Sequence, residues 1–376
     1  MDNHYDYIIV GTGCAGLSLA YHMAQSKVLN KRRVLLLDNQ TKSTNDKTWC
    51  FWAESQQPYT SSQEVSWRNL VFKADSLNVK EELPSLSYYH INSLSFYKET
   101  IRKVKEHDNF VLRRLAVDGI EQTGDLIEVT AGKNKFTASF VFNSVISLIN
   151  KKPSKPALWQ HFYGKKIRTV KKAFKDNSVK LMDFSLPNRD TVQFGYVLPF
   201  SDREALVEYT EFSPETRSDS DYEVHFKQYA TTLDLGEYEI LEAEKGQIPM
   251  SEFQFPRYNS SRVLNLGTSG GFTKPTTGYT FKNIQDDVQS IIHSLEQEEP
   301  FKRPYTKSRF RFYDRLLLGI IKDEPEKVKG IMIKLFKNNS MERVLTFLDE
   351  RSTLIEEAKI FMRLPWAPFL KQLFLK

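Results

Sequence analysis

YDYIIVGTGCAG, residues 5–16, is the stretch from which the fold can be read. Tyr7, Ile8, Ile9 and Val10 make a short apolar, β-branched run, the composition of a buried strand. Gly11, Gly13 and Gly16 follow as G-x-G-x-x-G, and Leu17, Leu19, Ala20, Met23 and Ala24 then recur at helical spacing. The glycines therefore occupy the turn from a first strand into a first helix. Such a turn lets the main chain approach a pyrophosphate, and the helix N-terminus adds unbonded N–H groups and a positive dipole end. Val34, Leu35, Leu36 and Leu37 form a second buried strand closed by Asp38, an acid that can accept hydrogen bonds from a ribose hydroxyl. A turn without a ligand would not need three glycines and an acid in register. Gly11, Gly13, Gly16 and Asp38 are thus the first cofactor-binding candidates. A carboxylate at 38 also disfavours NADP, whose 2′-phosphate it would repel.

A second glycine-rich stretch, GTSGGFTKPTTGY at 267–279, follows an apolar strand at 262–266 and precedes a helix starting near Thr280. Gly267, Gly270, Gly271 and Gly278 permit close backbone approach, and with Pro275 they are the second set of cofactor-binding candidates. Two anion-holding turns far apart in one chain call for a long, two-ended cofactor such as FAD.

Bulk properties set the class. A chain of 376 residues exceeds one ordinary core, so two intertwined domains are expected. A 40% hydrophobic content suits a soluble globular protein, and no apolar run reaches the roughly 20 residues of a spanning helix. The polar N-terminus enters the first strand within a few residues, unlike a signal peptide. Two cysteines, Cys14 and Cys50, supply neither a disulfide framework nor a four-ligand zinc site, which points to a reducing compartment, the cytoplasm. Residues 301–376 hold 17 Lys or Arg against 9 Asp or Glu, a net +8 within a total of +6, leaving −2 on residues 1–300. With no nucleic-acid motif beside it, this basic, aromatic-rich segment suggests attachment to an anionic membrane surface rather than nucleic acid.

Along the chain, 41–46 is a polar loop and Thr48, Trp49, Cys50, Phe51 and Trp52 form an aromatic cluster. A helical stretch lies within 86–104, and 111–115, 126–131 and 136–142 alternate like antiparallel strands. Residues 151–156, KKPSKP, mark passage into a second, mainly β domain with strands at 160–164, 180–184, 191–198 and 205–211. A helix follows at 222–233, then a turn at Gly246 into another strand. Beyond Tyr279 the chain reads as almost wholly helical. The expected fold is α/β: a Rossmann-like dinucleotide-binding domain from 1–150 and 256–300, an inserted mainly β substrate domain at 151–255, and a helical, basic, membrane-facing region at 301–376.

At this point the chain resembles the bacterial, FAD-containing lycopene β-cyclases, essentially end to end. The carrying stretches are DYIIVGTGCAGLSLA (6–20), NDKTWCFW (45–52), WQHFYGKKI (159–167), LMDF (181–184), YVLPFSDREALVEYTEFS (196–213), KGQIPM (245–250) and the 267–279 loop. The resemblance implies the fold of flavoprotein monooxygenases and other glutathione-reductase-like proteins, of the p-hydroxybenzoate-hydroxylase type. It implies reduced FAD as cofactor, with NAD(P)H only as a reductant. It also implies redox-neutral closure of the ψ end groups of lycopene to β rings, an isomerase reaction of carotenoid biosynthesis. Expected partners are a lipophilic carotenoid, the inner face of the cell membrane and other carotenoid-pathway enzymes.

That chemistry needs a proton for an isolated alkene, a site that tolerates a tertiary cation, and an apolar channel. Glu208 is the candidate acid: alternation puts it on one face with Leu206 and Thr210, and a carboxyl facing an apolar interior stays protonated. By the resemblance, 206–210 is the family's acidic motif. The second acid often found there is Tyr209 in this chain, which leaves Glu208 as the motif's sole carboxylate. Asp183, in an apolar strand, reads equally as a buried carboxylate at the substrate or a structural ion pair. Glu211 falls on the opposite face and reads as solvated. Trp49, Trp52, Tyr196, Tyr209 and Tyr279 are the substrate-side candidates, with Phe51 as a further ring; their faces could steady a cation or simply pack the core. His90 and His161 lack the spacing of metal ligands or of a triad and read as structural. Thr268 stands where related monooxygenases carry an Asp that binds the cofactor chain. The alternatives are an FAD-dependent hydroxylase or epoxidase acting on an apolar substrate, and a flavin-binding membrane protein without catalysis.

Overall fold

The computed structural model describes residues 3–54, 63–151, 156, 158–186 and 190–374. The opening unit forms as the glycine spacing requires: β1 (His4–Val10) leads through the turn into α1 (Cys14–Gln25), and β2 (Val34–Asp38) lies parallel to β1. Gly16 is obligatory there, because a Cβ at that position would lie 2.0 Å from the Gly11 carbonyl oxygen. After the aromatic strand β3 (Thr48–Ala53) come β4 (Gln63–Trp67), β5 (Asn69–Ala74), β6 (Leu77–Glu82) and β7 (Ser87–Asn92). Helix α2 (Ser93–Val104) begins where the Asn92 side chain caps the Ser95 amide. The expected helix within 86–104 thus occupies its second half, and the first half is strand.

Strands β8 (Phe110–Arg114), β9 (Gly119–Thr123), β10 (Leu126–Ala131) and β11 (Asn134–Asn143) complete most of the first sheet, with β17 (Tyr258–Ser260) and β18 (Val263–Asn265) added from far downstream. Its order is β17-β18-β11-β1-β2-β8, with β10 and β9 branching from β11. The antiparallel expectation holds for β10 with β11, but β8 pairs in parallel with β2, and β11 also pairs in parallel with β1. One face is sealed by α1, α2 and α4 (Phe281–Glu296), and the other by the β9–β11 ribbon.

The second sheet has the order β16-β12-β15-β14-β13-β5-β6. It is built from β12 (Leu158–Thr169), β13 (Ser178–Asp183), β14 (Val192–Pro199), β15 (Glu204–Ser213) and β16 (Tyr238–Met250). β5 and β6, from the first 150 residues, join it through a parallel pairing of β5 with β13. Helix α3 (Asp219–Thr231) covers one face, where Ala205, Val207 and Tyr209 meet Tyr222, Phe226 and Tyr229. The opposite face, with Leu206 and Phe212, packs against α5 (Ser308–Asp323), α6 (Pro325–Asn338) and α7 (Met341–Leu348). In α6, Val328, Ile331, Leu335 and Phe336 are buried at one-face spacing, each worth about 1.5–3 kcal/mol of apolar burial. Gly246 lies inside β16 and makes no turn; the Phe162 ring fills the space over it. The short helices α8 (Leu354–Phe361) and α9 (Trp366–Phe374) end the described chain. The boundary expected at 151–156 falls largely on residues 152–155, outside the described residues.

Candidate functional site

The carboxyl ends of β1, β2, β11 and β18 converge on one cavity of about 640 Å³, the place where parallel sheets present ligand sites. Gly13, Cys14 and Ala15 line it from the β1–α1 turn, Gln40 and Lys42 from beyond β2, Ser144 from beyond β11, and Gly267 and Thr268 from beyond β18. The second sheet closes it with Gln160, Tyr196, Leu206 and Glu208. The glycine turn and the acid on β15, 195 residues apart in sequence, thus face a single space.

The turn is built to leave room. A Cβ on Gly13 would meet nothing within 4 Å, so this position faces open cavity, whereas Gly11 and Gly16 are packed against Ser144 and against the turn itself. Helix α1 begins at Gly13 with no side-chain cap and no acid in its first turn, which leaves its first amides for an anion. Cys14 is the small residue expected there; burial pushes its thiol up to about 12. Asp38 does not itself line the cavity; its carboxylate accepts from the Thr12 amide at 2.6 Å, the Thr12 hydroxyl at 2.9 Å and the Gln40 amide at 2.8 Å. Burial would raise its pKa, but these amides and Lys42 hold it below the usual carboxylate value.

The 267–279 loop divides. Gly267 and Gly278 line the main cavity, and Gln160 Oε1 and Thr277 Oγ1, also lining it, are buried without a hydrogen-bond partner among the described residues. Gly270, Gly271 and Pro275 instead line a separate cleft of about 650 Å³ on the other side of the loop. The tight turn 267–270 reverses the chain, and Gly270 is pressed against the Asn265 carbonyl. These three residues therefore do not face the space shared by Gly13 and Glu208.

Around Glu208 the candidates separate by face. Tyr196 is its direct cross-strand neighbour on β14 and lines the cavity, as do Trp49 and Tyr279. The Tyr279 hydroxyl lies 3.2 Å from that of Tyr88 and also bonds Tyr196, making a tyrosine cluster beside the acid. Trp52 stands edge-on to Tyr279 at 4.6 Å and lines a small adjoining recess, behind the cavity wall. Phe51 is core, stacked between Tyr89 and Phe281.

Tyr209 and Asp183 do not reach the cavity. One residue along a strand from Glu208, Tyr209 points to α3, donates to Glu211 Oε2 at 2.7 Å and stacks on His225. Asp183 is fully buried between Lys73, Lys180 and Ser185, the structural alternative. Glu211 does lie opposite Glu208, but it is fully buried: α3 and its approach cover that face, and Arg217 grips the carboxylate in two bonds of 2.9 and 2.6 Å. Burial would raise its pKa; Arg217 and Tyr209 reverse the shift. His161 is structural, bonded to Ser213 and Tyr222, and burial lowers it to about 4.

Glu208 itself is half-buried against the cavity, with Oε1 accepting from the Thr210 hydroxyl at 2.7 Å. Burial raises its pKa, and so does a second carboxylate that sequence reading missed: Glu244 on β16. Glu208 and Glu244 are both register partners of Gly164, on the two strands flanking β12. Alternation of Glu242, Glu244 and Gly246 along β16 was the available signal, hidden by placing a turn at Gly246.

A family model described as "Lycopene cyclase protein" matches residues 6–374. No curated protein sequence matches. Among solved structures, the chain is similar to a geranylgeranyl bacteriochlorophyll reductase-like protein from Thermoplasma acidophilum, with 10% identity, a TM-score of 0.62, and 100% of this chain and 97% of that one covered. A flavoprotein/dehydrogenase from Cytophaga hutchinsonii aligns with 12% identity and a TM-score of 0.62 over 92% of each chain. OxyS anhydrotetracycline hydroxylase from Streptomyces rimosus aligns with 15% identity and a TM-score of 0.56, over 92% of this chain and 76% of that one. At these identities the likeness is one of fold, and the fold is that of FAD flavoproteins, with a Rossmann-like domain, a mainly β second sheet and a helical C-terminal region.

Proposed function

The chain belongs to the lycopene cyclase family, and on that premise we propose that it closes the acyclic end groups of lycopene to β rings without net redox change. The observation that supports this most is the half-buried Glu208 carboxyl, raised in pKa, facing the same cavity as the dinucleotide turn. The residues present fit FAD. Gly13 leaves open space beside an uncapped helix end, and Gln160 and Thr277 offer unpaired polar atoms beside Gly278. Reduced FAD bound there would supply a fixed negative charge near a developing cation.

The chain's own groups account for the rest. Thr210 holds one oxygen of Glu208, leaving the other to carry the acid proton. Glu208 gives that proton to the terminal double bond, and the tertiary cation forms on the dimethyl carbon. The neighbouring double bond attacks this carbon, one ring bond forms, and a ring proton leaves to restore the alkene. Tyr196, Tyr279 and Trp49 line the cavity, where aromatic rings can stabilise a cation. The cavity keeps water, which would capture the cation as an alcohol, away from the reacting carbons.

The substrate is insoluble in water, so the enzyme takes it from a bilayer as a peripheral protein. Among the described residues no helix is long and apolar enough to cross a membrane. Exposed Trp366, Leu370, Leu373 and Phe374 on α9, with Lys371 among them, support shallow insertion at an anionic surface. The competing reading, an FAD-dependent hydroxylase or epoxidase, keeps the fold and would consume NAD(P)H with each turnover. Expression in a lycopene-making host separates the two. The wild-type chain should yield cyclic carotenes, and Glu208→Gln should yield none while still binding flavin. Cyclic product from Glu208→Gln would remove this residue from its role, and oxygenated product would favour the hydroxylase.

A further inference from the structure

The acidic motif of this chain has one carboxylate where two could stand, and the structure brings a second from another strand. β15, β12 and β16 run side by side, with Glu208 and Glu244 both opposite Gly164. At about 4.8 Å per strand, their Cα atoms lie about 10 Å apart, and Gly164 itself puts no side chain between them. The Glu244 side chain leans into this gap beside Leu206: a Cβ on Gly164 would sit 3.1 Å from Leu206 Cδ1, 3.2 Å from Glu244 Cγ and 3.3 Å from Glu244 Oε1. The Thr48 hydroxyl donates to Glu244 Oε2 at 2.7 Å, while Oε1 is buried with no partner among the described residues. Each carboxylate is therefore tied by one threonine, and each has one oxygen left over.

Behind Glu244 lies a recess of about 20 Å³, room for one water, lined by Thr48, His90, Lys166 and Leu206 and rimmed by exposed Glu242 and Ala243. Leu206 and Thr48 line both this recess and the main cavity. Glu244 thus stands between the reacting acid and the solvent side.

We propose that Glu244 is a positioning residue for the acid step, pairing with Glu208 across Gly164 so that the two carboxyls share one proton and refill Glu208 from the recess side. The inference rests on the cyclase reading of the cavity. The proton count closes within the pair. Glu208 passes its proton to the alkene, leaving two carboxylates opposite one carbocation. The ring then loses one proton to Glu208, the pair is back to a single proton, and that proton exchanges with solvent through the recess before the next turnover. No oxidant, reductant or further base enters.

The sign of the pH effect follows from the groups around the pair. Glu208 is raised first by burial and then by the charge of Glu244, and Glu244 is raised by burial. Lys47 opposes the rise at Glu244, and Glu242 adds to it. Lys166 faces the recess. Cys50, Tyr88, Tyr196 and Tyr279 are held neutral by burial, and burial lowers His90 to about 3, so it is neutral too. Glu208 acts only while protonated, so cyclisation falls as pH rises through its pKa. Removing the charge at 244 lowers that pKa and moves the falling limb to lower pH.

The test is infrared titration of the protonated-carboxyl band in the purified protein without substrate, beside the pH profile of kcat. The wild type should keep a carboxyl band well above the ordinary glutamate range, and Glu208→Gln should remove it. In Glu244→Gln the band and the kcat limb should both move down by at least about one pH unit, as expected for loss of a close like charge. Glu244→Asp should stay near the wild type. An unmoved band in Glu244→Gln, or Glu244→Asp behaving like Glu244→Gln, overturns the pairing. Because the band needs no substrate, that outcome is distinct from failure of the cyclase reading, which Glu208→Gln tests by product alone.

Discussion

A methyl group added at position 13 would meet nothing, and one added at position 16 would lie 2.0 Å from a carbonyl oxygen. The two glycines look alike in the sequence and act through different physics. Gly16→Ala must push helix α1 off its strand, and overpacking of this kind costs about 1–3 kcal/mol. Gly13→Ala leaves the protein intact and puts its methyl in the cavity. The expected result is a lowered Tm for Gly16→Ala, against an unchanged Tm and at least about tenfold weaker flavin binding for Gly13→Ala. Equal flavin affinity in Gly13→Ala and the wild type would detach the turn from the cofactor. The face of Glu208 was legible from alternation, because Leu206 and Thr210 mark it, whereas its role came only from the family resemblance. Glu211 was legible only by face and not by burial, since nothing in a strand's own residues tells that a helix will cover it. Glu244 was illegible for the matching reason: its importance comes from Gly164, 80 residues away on the neighbouring strand.

Elements repeat the lesson. Helices beyond Tyr279 were readable from apolar spacing, because one-face periodicity is written within a single segment. Strand direction was not: 111–115 alternates whether its partner runs parallel or antiparallel, and only the crossover through α2 makes β8 parallel to β2. Gly246 read as a turn because glycine usually punctuates, whereas here it yields space to the Phe162 ring. Among the C-terminal helices, α9 keeps large apolar groups outside, with Trp366 55% and Phe374 83% exposed. Such rings carry interfacial binding, and Lys371 and the basic surroundings add attraction to anionic headgroups. The wild-type protein should sediment with anionic vesicles at low salt. The double variant Trp366→Ala, Phe374→Ala should lose at least about tenfold in partitioning. No vesicle binding by the wild type, or equal binding by the variant, would remove α9 from the membrane.

At the scale of the whole molecule, the two sheets have different tasks. The parallel strands of the first aim their carboxyl ends, and with them the turn at Gly13, into the cavity. The second supplies a rigid wall on which Glu208, Tyr196 and Glu244 have fixed positions. The 267–279 loop, which lines the cavity, is anchored from a third direction, where buried Lys274 bonds both Asp314 on α5 and Glu350 just after α7. A buried pair of this kind is costly to break, so the 267–279 loop and the C-terminal helices hold one another in place. The central claim is that a carboxyl of this wall, kept protonated beside the cavity, protonates a hydrocarbon. It is tested most directly by supplying lycopene in vesicles to the flavin-loaded, reduced enzyme in D2O without oxygen, and weighing the product. Each new ring should carry one deuterium, with no consumption of NAD(P)H beyond the initial reduction of the flavin. Rings without deuterium, or reductant consumed in step with product, would contradict it.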